Sequence, residues 1–198
     1  MRAILALTTL TVLGAPLLAS DQFNGTCASE FRAAFPVGGN LRLQIRSGDT
    51  DVIGTDSPQI RIWCELKEPD QAKDVHIAFR RDANRGELVV KGGPTNNFRV
   101  RVEVPRHSHL WVRSPAGDLK VSGVVGDKDI ELYAGDLVIT VGDPGDYRRV
   151  DGSVHAGDLN APAFGVSKGG LFRSFQKENA GGRYHLHAHV GAGDVVLK

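Results

Sequence analysis

The chain has 198 residues, enough for one domain whose hydrophobic core needs no metal or disulfide to hold it together. Its 24 basic and 23 acidic residues give a formal net charge of +1, and this balance argues against nucleic-acid binding, which usually requires a strongly basic face. The 24 glycines are scattered, so they indicate many turns and exclude a collagen-like repeat.

The N-terminal segment has the pattern of a secretory signal peptide. Arg2 supplies a positive charge, Ala3 to Leu18 is mainly apolar, and small residues follow where a signal peptidase would cleave. The alternative is an uncleaved membrane anchor, but the apolar run is short for a membrane span and polar sequence follows it at once. We therefore predict a signal peptide at residues 1–20, a single domain at residues 21–198, and a periplasmic or secreted protein with no membrane span after cleavage.

The two cysteines of the chain are Cys27 and Cys64. Export to an oxidising compartment favours a disulfide between them, and the alternative is a pair of free buried thiols. Cys64 shares its strand face with Ile60 and Ile62, so it is expected to point toward the core.

From residue 41 onward, apolar and polar residues alternate, as they do in strands with one buried face. The first such strand contains Leu41, Leu43 and Ile45. The segment Gln71–Asp82 has a helix-forming composition, but its apolar residues recur at every second position, so it is predicted to be a strand. The same reading is given to Leu171–Glu178, and the chain as a whole is predicted to contain very little helix.

Gly-Asp pairs followed by alternating apolar residues recur through the second half of the chain. Eight of the 16 aspartates directly follow a glycine, several times more than composition alone would give. The pairs that introduce strands are Gly117-Asp118, Gly135-Asp136, Gly157-Asp158 and Gly193-Asp194, with a weaker copy at Gly48-Asp49. Glycine provides the positive φ of a sharp turn, and the aspartate side chain can accept a hydrogen bond from a turn amide.

Units of one turn and one short strand cannot bury their apolar faces alone, so they must stack on each other. The sequence therefore predicts an all-β domain formed as an irregular β-solenoid-like stack of short strands with Gly-Asp turns. A β-sandwich is the alternative.

The run "VPRHSHLWVRSPAGDLKVSGVVGDKDIELYAGDLVIT" resembles the bacterial DUF4097 family, also called putative adhesin domains. The closing "GGRYHLHAHVGAGDVVL" is similar to the end of that family's pattern. The resemblance covers most of the chain after the signal peptide and rests on structural turn signals. It implies a β-solenoid-like fold and an exported location, and it provides no catalytic residues.

Three histidines form the sharpest chemical pattern. In a strand, His185, His187 and His189 project from one face, and an H-x-H pair on a strand can bind zinc or copper. Alternate strand residues lie too far apart for all three to bind one metal, so a ligand from another strand is needed, with His107 and His109 the first candidates. The alternative, which we favour, is a solvated polar face without a metal.

Other candidate sites are weaker. Ser167 lies in a formal G-x-S-x-G match, but no helical pattern follows it, so we predict a turn before the next glycines instead of a nucleophile. The Gly-Asp turns lack the tandem spacing of calcium-binding repeats, so their aspartates are expected to cap turns. Trp63 and Trp111 fall on the polar parity of their strands, where aromatic rings can bind glycans or proteins or can be covered by a loop or by the N-terminal segment.

No paired acid and base or activated nucleophile emerges from the sequence, so it predicts a non-catalytic module of the cell envelope or a secreted one, with no cofactor. Such a module would act through its surface, on a protein or glycan at the cell envelope. The alternative is a metal or small-ligand binder that uses the histidine strand.

Overall fold

The computed structural model describes residues 21–46, 48–94 and 96–198, and the predicted signal peptide lies outside them. Of the described residues, 65% lie in strands and 7% in helical segments, which confirms the predicted all-β class. The strands of the described residues are β1 (Asp21–Thr26), β2 (Phe31–Ala34), β3 (Asn40–Ile45), β4 (Asp49–Thr55), β5 (Gln59–Leu66), β6 (Val75–Asp82), β7 (Arg85–Gly92), β8 (Phe98–Pro105), β9 (His109–Ser114), β10 (Leu119–Ser122), β11 (Lys128–Ala134), β12 (Leu137–Ile139), β13 (Tyr147–Ala161), β14 (Val166–Glu178), β15 (Tyr184–Ala192) and β16 (Val195–Leu197).

All of these strands belong to one large sheet that almost closes on itself. Its path contains two parallel runs. The first run is β7-β3-β9-β11-β15-β13, and the second is β13-β16-β12-β10-β4-β8. The long strand β13 joins them, because its first part pairs with β15 and its last part pairs with β16.

Five of the eight Gly-Asp pairs lie where the chain passes from the first run to the second. They connect β3 to β4, β9 to β10, β11 to β12 and β15 to β16, and a fifth pair, Gly157-Asp158, lies inside β13 where its pairing changes from β15 to β16. Each of these Gly-Asp pairs forms a corner between the first run and the second. Because this corner recurs, strands that are distant in sequence become parallel neighbours. The outer face of the first run is consequently assembled from distant segments of the chain.

Alternation of apolar and polar residues determines which side chains enter the core. In β15, Leu186, Ala188 and Val190 are fully buried, and the residues between them face outward. The inward residues of both runs form a single hydrophobic cluster. Burial of this apolar area drives folding, and the outer face is left free for polar side chains.

The path of strands through the sheet ends at β1 on one side and at β2 on the other. A disulfide joins a residue next to β1 to a residue of the strand that pairs with β2. Cys27 follows β1 directly, and Cys64 lies in β5, the strand that pairs with β2. The Cys27 amide also donates a hydrogen bond to the Val75 carbonyl at 3.2 Å. The disulfide expected from the sequence is therefore present, and it ties together the ends of a nearly closed sheet.

Two sequence predictions need correction. Residues 71–74, predicted as the start of a strand, belong to the 3₁₀ segment Pro69–Asp74, because a proline at its start favours a helical turn and regular alternation begins only at Val75. The turn predicted around Ser167 lies earlier, at Pro162–Phe164 and Gly165, and Ser167 itself is inside β14. Among the described residues, no helical segment has the length and hydropathy needed to cross a membrane.

Candidate functional site

The Gly-Asp corners stack on each other in an order that differs from the chain order. Four aspartate amides each donate a hydrogen bond to the Oδ1 atom of the aspartate in the preceding corner, at 2.8 to 3.1 Å. The corners follow one another as Asp49, Asp118, Asp136, Asp194 and Asp158. These carboxylates accept turn amides, as expected from the sequence, and each amide belongs to a neighbouring turn.

The glycines of these corners are required by close packing as well as by their backbone angles. Gly135 has φ +127°, and a Cβ atom added there would lie 2.4 Å from the carbonyl oxygen of Gly117. Any side chain would therefore push two stacked corners apart. The stacked Gly-Asp corners, called the corner column below, have a structural role. A binding site is therefore expected on the outer face instead.

The outer face of the first run carries the three histidines. His185 is exposed, and His187 and His189 are half-buried. They stand between β11 and β13, since β15 pairs with both of these strands in parallel. The metal candidates named from the sequence thus lie in the middle of a wide polar surface.

The neighbours of this strand are acidic residues that the sequence analysis did not identify. Asp129 of β11 lies opposite His187, and potential ligand atoms of Asp129, Glu131 and His187 all lie within 4.8 Å of one another. Two carboxylates and one imidazole could hold a divalent ion. Arg113 already pairs with both carboxylates, at 2.9 Å from Asp129 and 3.1 Å from Glu131, so an ion would have to compete with a guanidinium.

His107 and His109 are not brought to the histidine strand in the way the sequence suggested. His109 belongs to β9, which β11 separates from β15, and its Nδ1 lies 2.9 Å from Oδ2 of Asp127. His107 precedes β9, and its carbonyl accepts a hydrogen bond from Gly38. The additional ligand groups beside the histidine strand are therefore the carboxylates of β11 and the imidazole of His155, and not the candidate pair His107 and His109.

His189 has the most constrained environment of the three histidines. Its Nδ1 lies 2.8 Å from the Ser153 hydroxyl, and its ring meets that of His155 edge to face at a centroid distance of 4.6 Å. Burial lowers the pKa of His189, and the neighbouring imidazoles of His155 and His187 lower it further, against the opposing effect of Glu131. A neutral imidazole held by a hydroxyl is suited to hydrogen bonding with a ligand at neutral pH.

Beside His189 the outer face opens into a cleft of about 660 Å³. This volume lies within the usual range for small-ligand sites, roughly 300–1,000 Å³. Its walls include Arg46, Arg113, Glu131, Tyr133, His155 and His189. The side chain of Tyr133 is 78% exposed, so the cleft combines charged groups with a free aromatic ring.

The two tryptophans on the polar parity of their strands are partly covered. Trp111 lies between the guanidinium groups of Arg42 and Arg113, at 3.9 and 4.0 Å from its ring centroid. Trp63 is half-buried, with Arg61 at 5.8 Å from its ring centroid. The most exposed aromatic side chains among the described residues are instead Tyr133 and Phe172. Tyr133 was not identified from the sequence, although its spacing from the outward residues Asp129 and Glu131 places it on the same strand face.

No protein-family model matches the chain, and no curated protein matches it at a significant level. A solved structure of a "putative cell adhesion protein" from Clostridium sporogenes is similar, with 11% identity, 86% of this chain and 98% of that chain covered, and a TM-score of 0.53. A "putative adhesin" from Bacteroides fragilis has 8% identity, 91% and 99% coverage, and a TM-score of 0.36, which is too low to support an argument. At such identities the likeness concerns the fold alone.

Proposed function

We propose that the chain is a non-catalytic, exported module of the cell envelope, or a secreted one, that binds a partner through the outer face of its first parallel run. In this proposal the strands form the solenoid-like stack predicted from the sequence, and the stack acts as a rigid support for the cleft beside Tyr133. The Clostridium neighbour's description as a cell adhesion protein agrees with this role, as does the resemblance to the DUF4097 family.

The observation that carries the proposal is the pair of exposed aromatic residues at this cleft. Tyr133 is 78% exposed and Phe172 is 76% exposed, and the Phe172 ring lies 5.7 Å from that of His155, a residue of the cleft wall. Phe172 also has φ +52°, a left-handed backbone conformation that is rare for a bulky aromatic residue. Exposed apolar rings held in place by a strained backbone are typical of contact surfaces and add little to the stability of the fold.

An exported location agrees with the chemistry of the two cysteines. The disulfide between Cys27 and Cys64 is stable in oxidising compartments and would be reduced in most cytosols. Combined with the predicted signal peptide, it supports a periplasmic or secreted protein. The partner would then be a protein or glycan of the envelope.

The test is adhesion of the purified exported protein, coupled to beads, to surfaces coated with peptidoglycan sacculi, with mucin or with albumin. Retention on sacculi or mucin well above that on albumin is expected, because the cleft offers both apolar and charged contacts. Retention no greater than on albumin for both coatings would contradict the proposal.

Metal binding is the second candidate, and the specific observation in its favour is the cluster of Asp129, Glu131 and His187. Its weakness is that Arg113 satisfies both carboxylates. The metal content of protein purified without a polyhistidine tag tests this candidate. About one bound zinc per chain would favour this candidate, and a substoichiometric content would exclude a resident metal.

A further inference from the structure

A narrow slot lies within the cleft, between Tyr133 and His155. Leu132 pairs with Val190 and Ala134 with Ala192, which places Tyr133 beside Gly191 on β15. On the other side of β15, Val154 pairs with Val190 and Ala156 with Ala192, which places His155 beside the same glycine. The floor of the slot is therefore the backbone of Gly191, and two ring-bearing side chains form its walls.

Gly191 keeps this floor open. A Cβ atom at this position would lie 2.4 Å from the carbonyl oxygen of Tyr133, so the close approach of the two strands excludes a side chain. The walls stand two strand spacings apart, which amounts to about 10 Å. Since atoms in contact are separated by roughly 3.5–4.0 Å, such a gap holds one ring between two walls.

The His155 wall is held in position by neighbouring rings. His155 meets His189 at a centroid distance of 4.6 Å and Phe172 at 5.7 Å. His189 is fixed in turn by the Ser153 hydroxyl at 2.8 Å. A wall that is already ordered before binding lowers the entropy cost of taking up a ligand.

The remaining cleft walls combine apolar surface with charged groups, and one of these groups is an unpaired cation. Arg113 pairs with Glu131 at 3.1 Å and also donates to the Val112 carbonyl and to Asp129, so Glu131 is the member of this pair that offers acceptors to a ligand. Arg46 is exposed, and its guanidinium has no ion-pair partner among the residues that the structure describes. A purely apolar ring would make no polar contact with Arg46 or Glu131, whereas a ring bearing hydroxyl groups and a carboxylate can bond with both.

We propose that the Tyr133–His155 slot binds one ring of a saccharide that carries a carboxylate. The C–H face of the sugar packs on Tyr133, its hydroxyl groups bond with Glu131 and His189, and its carboxylate pairs with Arg46. This inference rests on the proposed function and names the class of partner for the same cleft.

The test is an NMR titration of the exported protein with methyl glucuronide and with methyl glucoside, which differ only in the carboxylate. The wild-type protein should bind the glucuronide about fivefold more tightly, as expected for an exposed ion pair. Arg46→Gln should reduce this difference to less than about twofold. Tyr133→Ser should weaken binding of both sugars by about tenfold, because stacking on the ring is lost.

The control is Val37→Ser, which alters an exposed apolar residue outside the cleft and should leave both affinities unchanged. Equal binding of the glucuronide by the wild type and Tyr133→Ser would overturn the inference. So would tighter binding of N-acetylphenylalanine amide than of the glucuronide, because the slot would then select a peptide side chain. If beads still adhere to mucin or sacculi while no sugar binds, the inference fails and the surface-binding proposal stands.

Discussion

The ammonium group of Lys128 donates a hydrogen bond to the hydroxyl of Tyr147 at 2.5 Å, inside the hydrophobic core. Lys128 is 1% exposed, and its Nζ also donates to the Gly126 carbonyl at 3.1 Å. Burial lowers the pKa of Lys128 to about 8, although the carboxylates of Asp127 and Asp146 oppose the shift. A buried lysine with neutral partners makes folding depend on pH.

Stability should therefore increase as the pH rises above 8. Because the pKa of Lys128 is lower in the folded chain than in the unfolded chain, the protonated form opposes folding fully below pH 8, and this cost declines toward pH 10.5. Burial raises the pKa of Tyr147, so ionisation of the unfolded tyrosine removes stability above about pH 10. Between pH 8 and pH 10 the Lys128 contribution to the free energy of unfolding should rise by about 2 kcal/mol.

Denaturant unfolding at several pH values measures this effect, and Lys128→Met is the matched variant. Methionine has a similar length without the charge, so the variant should lack this contribution and be at least as stable as the wild type at pH 7. Parallel pH profiles for the two proteins would show that Lys128 does not carry the effect.

The disulfide should contribute strongly to stability because it links the two ends of the sheet. Cys27 and Cys64 are 37 positions apart, and closing such a loop is worth about 3–4 kcal/mol in the chain-entropy model. Reductant should lower the melting temperature of the wild type and leave that of the Cys27→Ala, Cys64→Ala double variant unchanged. Alkylation of two thiols in the unreduced exported protein would rule the bridge out.

The corner column predicts very different costs for two glycines with positive φ. Gly135→Ala should destabilise by about 3 kcal/mol or more, because the new Cβ meets the Gly117 carbonyl. Gly142 has φ +81° but nothing within 4 Å of an added Cβ, so Gly142→Ala should cost only the conformational strain, about 1 kcal/mol. Equal losses in the free energy of unfolding would contradict close packing of the corners.

The hydrogen bonds between aspartates of the corner column, here called the carboxylate ladder, allow a separate prediction at Asp118. Its Oδ1 accepts the Asp136 amide at 3.1 Å. Asp118→Asn keeps an acceptor and should be nearly neutral, whereas Asp118→Ala should cost about 1 kcal/mol. Calcium should not change the melting temperature of the wild type, and a calcium-dependent rise of several degrees would assign the ladder to metal binding instead.

Arg113 should control how strongly the acidic cluster binds metals. In Arg113→Gln the carboxylates of Asp129 and Glu131 lose their guanidinium partner, so zinc should bind about tenfold more tightly than to the wild type. Adding His187→Asn to this variant should reverse the gain, because the imidazole ligand is removed. Calorimetric titration with zinc measures both changes, and unchanged affinity in Arg113→Gln would mean that these residues do not form a metal site.

Much of the fold could be predicted from alternation alone. The pattern placed Leu186, Ala188 and Val190 in the core and sent the histidines between them outward, as the structure has them. It could not identify the neighbours of β15, because parallel strands distant in sequence pair through stacked corners whose order departs from chain order. Asp129 was missed for this reason.

The cleft could not be predicted from the sequence, for a related reason. Tyr133, Gly191 and His155 come from three separate units, and their juxtaposition depends on the pairing of β11, β15 and β13. Trp111 was the more conspicuous aromatic residue in the sequence, but two arginines from neighbouring strand positions cover it. Exposure of a side chain follows from tertiary contacts, which strand parity does not report.

The most direct test of the central claim is bead adhesion to mucin and sacculi by two matched variants. Tyr133→Ser combined with Phe172→Ser removes both exposed rings at the cleft, while Val37→Ser removes an apolar side chain that is 60% exposed and does not line it. Adhesion of the double variant should fall at least about tenfold, since two aromatic contacts are lost, and that of Val37→Ser should match the wild type. Equal adhesion of all three proteins would contradict the assignment of the binding face.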